Sequence, residues 1–314
     1  MSAKAKFAIN LPQFHPEAPD ELSSLGLFAE AAERLGFDSI WTLDRVFHKV
    51  PFLEPLTSLA YVAAKTTTVG IGTAILMTPL RTPSILAKTA ATLDFLSGER
   101  LILGIALGGH PGEYAASGVP VKERVTRFLE GVQIMRMLWT QDEVDFQGRF
   151  WRLNHASISP RPARPGGIPL WMGGSQVGSR VNDAAIRRAA KLADGWLGAG
   201  STTLEGFEDA YRRFLSYASE FGRDLEQLTA AKRVYIHVDP DRERARTVLQ
   251  RALSAFYGGN FDIAKLCVYG GDQECAEHLG QFVEAGAKTL ILHPVADHRQ
   301  QAEVLARDVI AKLR

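Results

Sequence analysis

The chain has little cysteine: two residues, Cys267 and Cys275, in 314. Two thiols cannot form a disulfide framework, and they fit a reducing compartment, the cytoplasm. No run of about 18 apolar residues occurs, so no membrane span is expected. The N-terminal MSAKAKFAINLPQ lacks the apolar stretch of a signal sequence. Charge excess is also missing. Thirty-six Lys and Arg against 35 Asp and Glu leave a formal net charge of +1, which disfavours nucleic acid as a partner. No internal repeat or low-complexity segment stands out. The eight histidines (15, 48, 110, 155, 237, 278, 293 and 298) include no His-x-His and no His-x-x-x-His pair. His237 and His293 could share a metal, but hydrogen-bonded histidines at a sheet edge are the plainer reading, and no metal is expected. A serine nucleophile elbow, a lysine-bearing phosphate loop and a Gly-rich dinucleotide fingerprint after the first strand are all lacking.

What is present is a rhythm. Hydrophobic residues make up 46% of the chain and charged ones 23%, enough for a large core. Strand patterns fall at 7–11, 39–42, 69–75, 101–107, 168–172, 195–198, 231–238 and 289–293. Helical patterns lie at 22–35, 56–66, 83–96, 121–139, 180–192, 203–221, 241–257, near 272–285 and at 298–313, with a further helical stretch before residue 272. Pro83 suits a first helical turn. Residues 142–167 break the rhythm with short aromatic pieces around Gly148 and then SPRPARPGG, which reads as a β-hairpin insertion and a loop. Eight βα units predict one α/β domain over 1–314, a (β/α)8 TIM barrel. An open doubly wound sheet is the competing fold.

In such a barrel, chemistry sits where the strands end. Gln13 follows strand one; Asp44, Arg45 and His48 follow strand two; and strand three ends in Thr73, Ala74 and Ile75, within GIGTAILMTPLRTP. Gly108, Gly109, His110 and Glu113 follow strand four, Gly173, Gly174 and Ser175 strand five, and Gly200 and Ser201 strand six. Glycine lets backbone amides approach a ligand. Gly-Gly-Ser before a helix is a seat for an anion, because the first amides of a helix are unpaired, although many such turns are only turns.

Taken together, these pieces resemble a family. INLPQF, AERLGFDSIWTLDR, PLTSLAYVAAKTTTVGIGTAIL, RTPSILAKTAATLDFLSGERLILGIALG, DFQGRFWRL, SPRPARPGGIPLWMGGS and AAKLADGW occur in the order found in the bacterial luciferase-like flavin oxidoreductases. TLDR and PLRTP are most similar to the branch that uses coenzyme F420, a deazaflavin. The resemblance implies a TIM barrel with an insertion, a deazaflavin (or FMN) across the C-terminal rim, and a cis Ala74–Ile75 bond backing its ring. It implies an oxidoreductase passing hydride between F420 and a small organic substrate. An FMN-dependent monooxygenase using O₂ is the alternative, and a non-catalytic flavin-binding barrel the second. Cofactor contacts are expected at Gln13, Thr73, Ala74, Ile75, Gly108, Gly109, Gly173, Gly174, Ser175, Gly200 and Ser201. Catalytic candidates are Asp44, Arg45, His48, His110 and Glu113. Many members carry Asp-His where this chain has Asp44-Arg45. Arginine stays protonated and cannot be a general base, so Arg45 is expected to hold an anionic oxygen, and His48, His110 or Glu113 to titrate. The strand-six exit also lacks a lysine that some members place on the cofactor tail. The resemblance further suggests a homodimer through helices two and three (faces Leu56/Leu59/Ala60/Ala63 and Leu86/Thr89/Ala90/Leu93), although packing on the barrel explains both faces equally.

Overall fold

A computed structural model describes residues 5–13, 24–49, 51–108, 111–174, 176–177, 180–257, 259 and 261–314, with backbone alone at 176, 177 and 180. Eight parallel strands form its centre: β1 (Lys6–Asn10), β2 (Ser39–Thr42), β3 (Gly70–Thr73), β4 (Leu101–Ala106), β5 (Leu170–Gly173), β6 (Gly195–Gly198), β7 (Thr229–Val238) and β8 (Thr289–Pro294). Each pairs with the next in sequence, β8 pairs with β1, and the sheet closes into a barrel. Around it run α1 (Leu25–Arg34), α2 (Pro55–Lys65), α3 (Pro83–Leu96), α4 (Arg124–Thr140), α5 (Asp183–Leu192), α6 (Leu204–Glu220), α7 (Arg242–Tyr257), α8 (Asp272–Glu284) and α9 (His298–Val304).

The strands are almost wholly buried because one face meets helices and the other meets the barrel interior. Caps fix several helix starts. Glu54 accepts the Thr57 amide at 2.7 Å ahead of Pro55 in α2, Thr203 accepts the Gly206 amide at 3.1 Å in α6, and Pro83 opens α3 as expected. The insertion is an antiparallel hairpin, Val144–Gln147 with Arg152–Ala156. No described helix is long and apolar enough to cross a membrane.

The structure corrects the sequence reading in five places. Strand three ends at Thr73, where a bulge interrupts it, and Leu76–Met77 resumes pairing with β4. The fourth helix starts at Arg124, after a short helix Pro111–Ala116 and a separate turn Val121–Glu123. The fifth starts at Asp183 because the Asn182 side chain caps it, bonding the Ala185 amide at 3.2 Å. The stretch before residue 272 is helical only over Ile263–Leu266. Cys267–Gly270 is instead a buried strand on the outer half of β7. Further, 298–313 is regular α-helix only to Val304, with a wider turn at Leu305–Val309 after it.

Candidate functional site

An apolar plug fills the middle of the barrel. Trp41 of β2 and Trp171 of β5 stack at 5.1 Å among Ala8, Leu197, Ala231 and Ile291. The small residues in β3 and β4 make room for this, since a Cβ on Gly72 would lie 2.7 Å from the Trp41 ring. Above the plug, toward the C-terminal strand ends, the lining turns polar.

The bulge after β3 forms one wall of this mouth. The Thr73 hydroxyl donates to the Gly104 carbonyl at 2.7 Å, and the Ala74 amide to the Thr42 carbonyl at 2.7 Å. A Cβ on Gly104 would sit 1.9 Å from the Thr73 carbonyl oxygen, so β4 can pass the bulge only with glycine there. The Ala74–Ile75 peptide is cis. Ile75 is half-buried, and its Cγ2 occupies the space a Cβ on Gly173 would take. Thr73 is itself fully buried, so what the bulge offers the mouth is Ala74 and Ile75.

Asp44 and Arg45 are adjacent in sequence and diverge in space. Asp44 accepts the Met77 amide at 2.8 Å and two bonds from Arg81, at 2.5 and 3.1 Å. Its buried carboxylate thus ties the β2 exit to the segment just past the bulge. Arg45 meets Glu113 at 3.3 Å and lies over the Phe256 ring at 5.2 Å. Glu113, on the short helix after β4, is buried and also accepts the Val46 amide at 3.2 Å. His48 bonds the Phe256 carbonyl through Nε2 at 3.1 Å and stacks on that ring. Arg45, Glu113 and His48 therefore share one side of the mouth.

Gln13 is fully engaged. Its amide donates to the carbonyls of Leu43 and Leu53, at 3.1 and 3.0 Å, and accepts the Leu43 amide at 2.6 Å, clamping the exits of β1 and β2. Gly174 has φ of 133° and packs so close to α5 that a Cβ would meet Ala185 at 2.8 Å. Gly108 lies against Met77, Gly200 against Tyr235, and Ser201 is exposed. Gly109, His110 and Ser175 lie outside the described residues. Among the described residues, three potential metal ligands converge only at exposed Glu143, Asp145 and His155 on the hairpin.

Sequence reasoning passed over the charges inside β7. Arg233 is 8% exposed and crosses the barrel to donate to the Ala74 carbonyl at 3.2 Å. Lys232, one residue earlier, faces the other way, and its ammonium donates to the carbonyls of Ala199 and Arg233 at 2.6 and 2.7 Å. Burial, then the Arg233 charge, brings its pKa down to about 7. His293 of β8 is buried beside Tyr235; burial, then Arg233, holds its pKa well below the usual histidine value, so it is neutral at pH 7. The available signal was the Lys-Arg pair inside the apolar run TAAKRVYIHV.

Comparison with known proteins adds the following. The model of the luciferase-like monooxygenase family matches residues 6–265. The chain is 31% identical to F420-dependent glucose-6-phosphate dehydrogenase of Kineococcus radiotolerans, over 95% of this chain and 94% of that one. An F420-dependent secondary alcohol dehydrogenase, solved in complex with an F420-acetone adduct, superposes with a TM-score of 0.85 at 22% identity, covering 99% of this chain and 100% of that one. The coenzyme F420-dependent tetrahydromethanopterin reductase of Methanopyrus kandleri gives 0.79 at 20% identity, covering 99% and 100%. These two likenesses show the shared fold.

Proposed function

Because the chain belongs to the luciferase-like monooxygenase family, we propose that it is an F420-dependent oxidoreductase passing a hydride between the deazaflavin and a small organic substrate. The observation that carries this is the full-length similarity to a relative named as an F420-dependent dehydrogenase. The residues present fit the cofactor. Ala74 and Ile75 form an apolar step for a planar ring, Gly173 leaves that step uncovered, and Gly174 lets the β5 exit pack against Ala185 in the first turn of α5.

Bound deazaflavin supplies or accepts the hydride; the protein orients it, excludes water and handles charge. Oxidising an alcohol also releases the hydroxyl proton, and reducing a carbonyl consumes one. Glu113 is the carboxylate placed to hold that proton, and Arg45, always charged, steadies it and faces the developing negative oxygen. Asp44 and Gln13 act as positioning residues, one holding Arg81 and the chain past the bulge, the other clamping the β1 and β2 exits. The test is a titration with F420 and with FMN, followed by anaerobic assay with an alcohol and carbonyl panel that includes glucose-6-phosphate. F420-linked turnover without O₂ is expected; turnover only with reduced FMN and O₂ overturns the reading.

The protein works as a homodimer. Supporting this, Ile85, Phe95 and Leu96 of α3 are 64–66% exposed, large apolar side chains that a second copy would cover, whereas Leu56, Leu59, Ala63, Leu86, Ala90 and Leu93 of the faces suggested by the sequence are buried on the barrel. Its cysteines are unpaired and buried, which suits the cytoplasm.

A further inference from the structure

Among the described residues, the arginines at the barrel and its mouth are met by an acid or wrapped by carbonyls, save Arg233. Arg81 is met by Asp44, Arg164 by Asp94 and Arg45 by Glu113. Arg100 has no such acid but is wrapped by the carbonyls of Ala63, Thr66, Val69 and Ser97. Arg233 has neither arrangement. It is buried at the floor of the mouth, its Nη1 reaches one carbonyl, Ala74, and its Nε has no hydrogen-bond partner. Its other neighbours are the Tyr257 hydroxyl, to which it hydrogen-bonds, and the Tyr235 ring at 5.2 Å; among the described residues none is a carboxylate. A buried, permanently charged guanidinium without a counter-ion is costly unless a ligand supplies one.

Its neighbours are in the same condition. Asn10 of β1 is 1% exposed with Oδ1 unbonded, and His293 of the adjacent β8 is 7% exposed with Nδ1 unbonded. The register Ile9–Leu292 and Tyr235–His293 sets Asn10, His293 and Tyr235 in one row across three adjacent strands, and Arg233 lies one step below Tyr235 on the same face. Unbonded polar atoms on the row above a buried cation, one of whose own donors is also unbonded, mark a binding site more than a folding device. The row also faces an apolar recess lined by Leu43, Phe52, Leu253 and Phe256.

We propose that Arg233, with the unbonded His293 Nδ1 on the row above it, is a preformed seat for one anionic oxygen of a ligand bound in the mouth. Two small molecules carry that chemistry. One is a substrate with an apolar body and a carboxylate head; the other is the reduced deazaflavin, whose ring gains negative charge that a nearby cation stabilises. The second source rests on the cofactor reading above, and the first does not.

Two preferences of the purified protein are measured for wild type, Arg233→Met and Arg233→Lys: reduced over oxidised F420 by anaerobic fluorescence titration, and benzoate over its neutral analogue benzamide by thermal shift. Wild type is expected to show at least one, by about tenfold, the scale of one charged hydrogen bond. Arg233→Met removes it and Arg233→Lys keeps part of it. Loss of the redox preference alone assigns the seat to the ring, and loss of the benzoate preference alone assigns it to substrate. If wild type shows neither preference, or a folded Arg233→Met keeps every preference shown by wild type, the seat is overturned. Should Arg233→Met fail to fold, Arg233→Gln takes its place under the same criteria. Failure of wild type to bind F420 at all sinks the cofactor reading and leaves the benzoate comparison standing.

Discussion

At the scale of single residues, Asp44 and Arg45 are adjacent charges that diverge, one tied to Met77 and Arg81, the other to Glu113, where the proposed chemistry lies. Asp44→Asn should weaken the grip on Arg81 and Met77 and cost about 2 kcal/mol of stability in denaturant unfolding, since charged hydrogen bonds are being replaced. Glu113→Gln should lower kcat by about a hundredfold while F420 affinity changes little, because a proton-holding group is lost and no ring contact is. Equal loss of kcat and cofactor binding would contradict that assignment. Lys232 gives a pH signature. Its folded pKa of about 7 lies below the usual lysine value of 10.5, so the unfolded chain binds more protons between those values. Stability from this group therefore rises with pH across that window, and Lys232→Met should flatten the rise measured by urea unfolding. The places of Asp44, Arg45 and Glu113 at the barrel mouth were legible because they follow strand ends, where barrel chemistry gathers. Arg233 was not, since period-2 alternation marks a strand as buried without telling which buried side chain is left unpaired.

At the scale of elements, the amides of the turn into β3 are gathered by one side chain. Glu33, near the end of α1, accepts the amides of Thr67, Thr68 and Val69 at 2.9, 2.6 and 2.9 Å. Burial works to raise its pKa, but these amides outweigh it and bring it from 4.5 down to about 2. The sign follows: stability from Glu33 is complete above 4.5 and is lost as pH falls toward 2. Glu33→Gln should destabilise the protein at pH 6, and the gap from wild type in urea unfolding should narrow by pH 3. A constant gap would mean that the amides do not depend on the charge. This turn is invisible to periodicity, which locates α1 and β3 but not the clamp between them. Strand Cys267–Gly270 was missed for a related reason. Four buried residues, CVYG, directly after a helical turn show too little alternation to separate strand from helix.

At the scale of the whole molecule, the barrel was legible because eight βα units leave few ways to bury eight strands, and the insertion showed itself by interrupting their rhythm. The proposed association of two copies belongs to this scale. Ile85→Glu with Leu96→Glu should turn a dimer into a monomer in sedimentation velocity without lowering Tm by more than a few degrees, as both side chains are exposed. A wild-type monomer would remove the dimer. The most direct measurement of the central claim is an anaerobic titration of the purified protein with F420 and with FMN, read by cofactor fluorescence. The account predicts saturable binding of one F420 per chain, much tighter than FMN, and weakened by a bulky side chain at Gly173. Tight FMN binding with no F420 binding would contradict it.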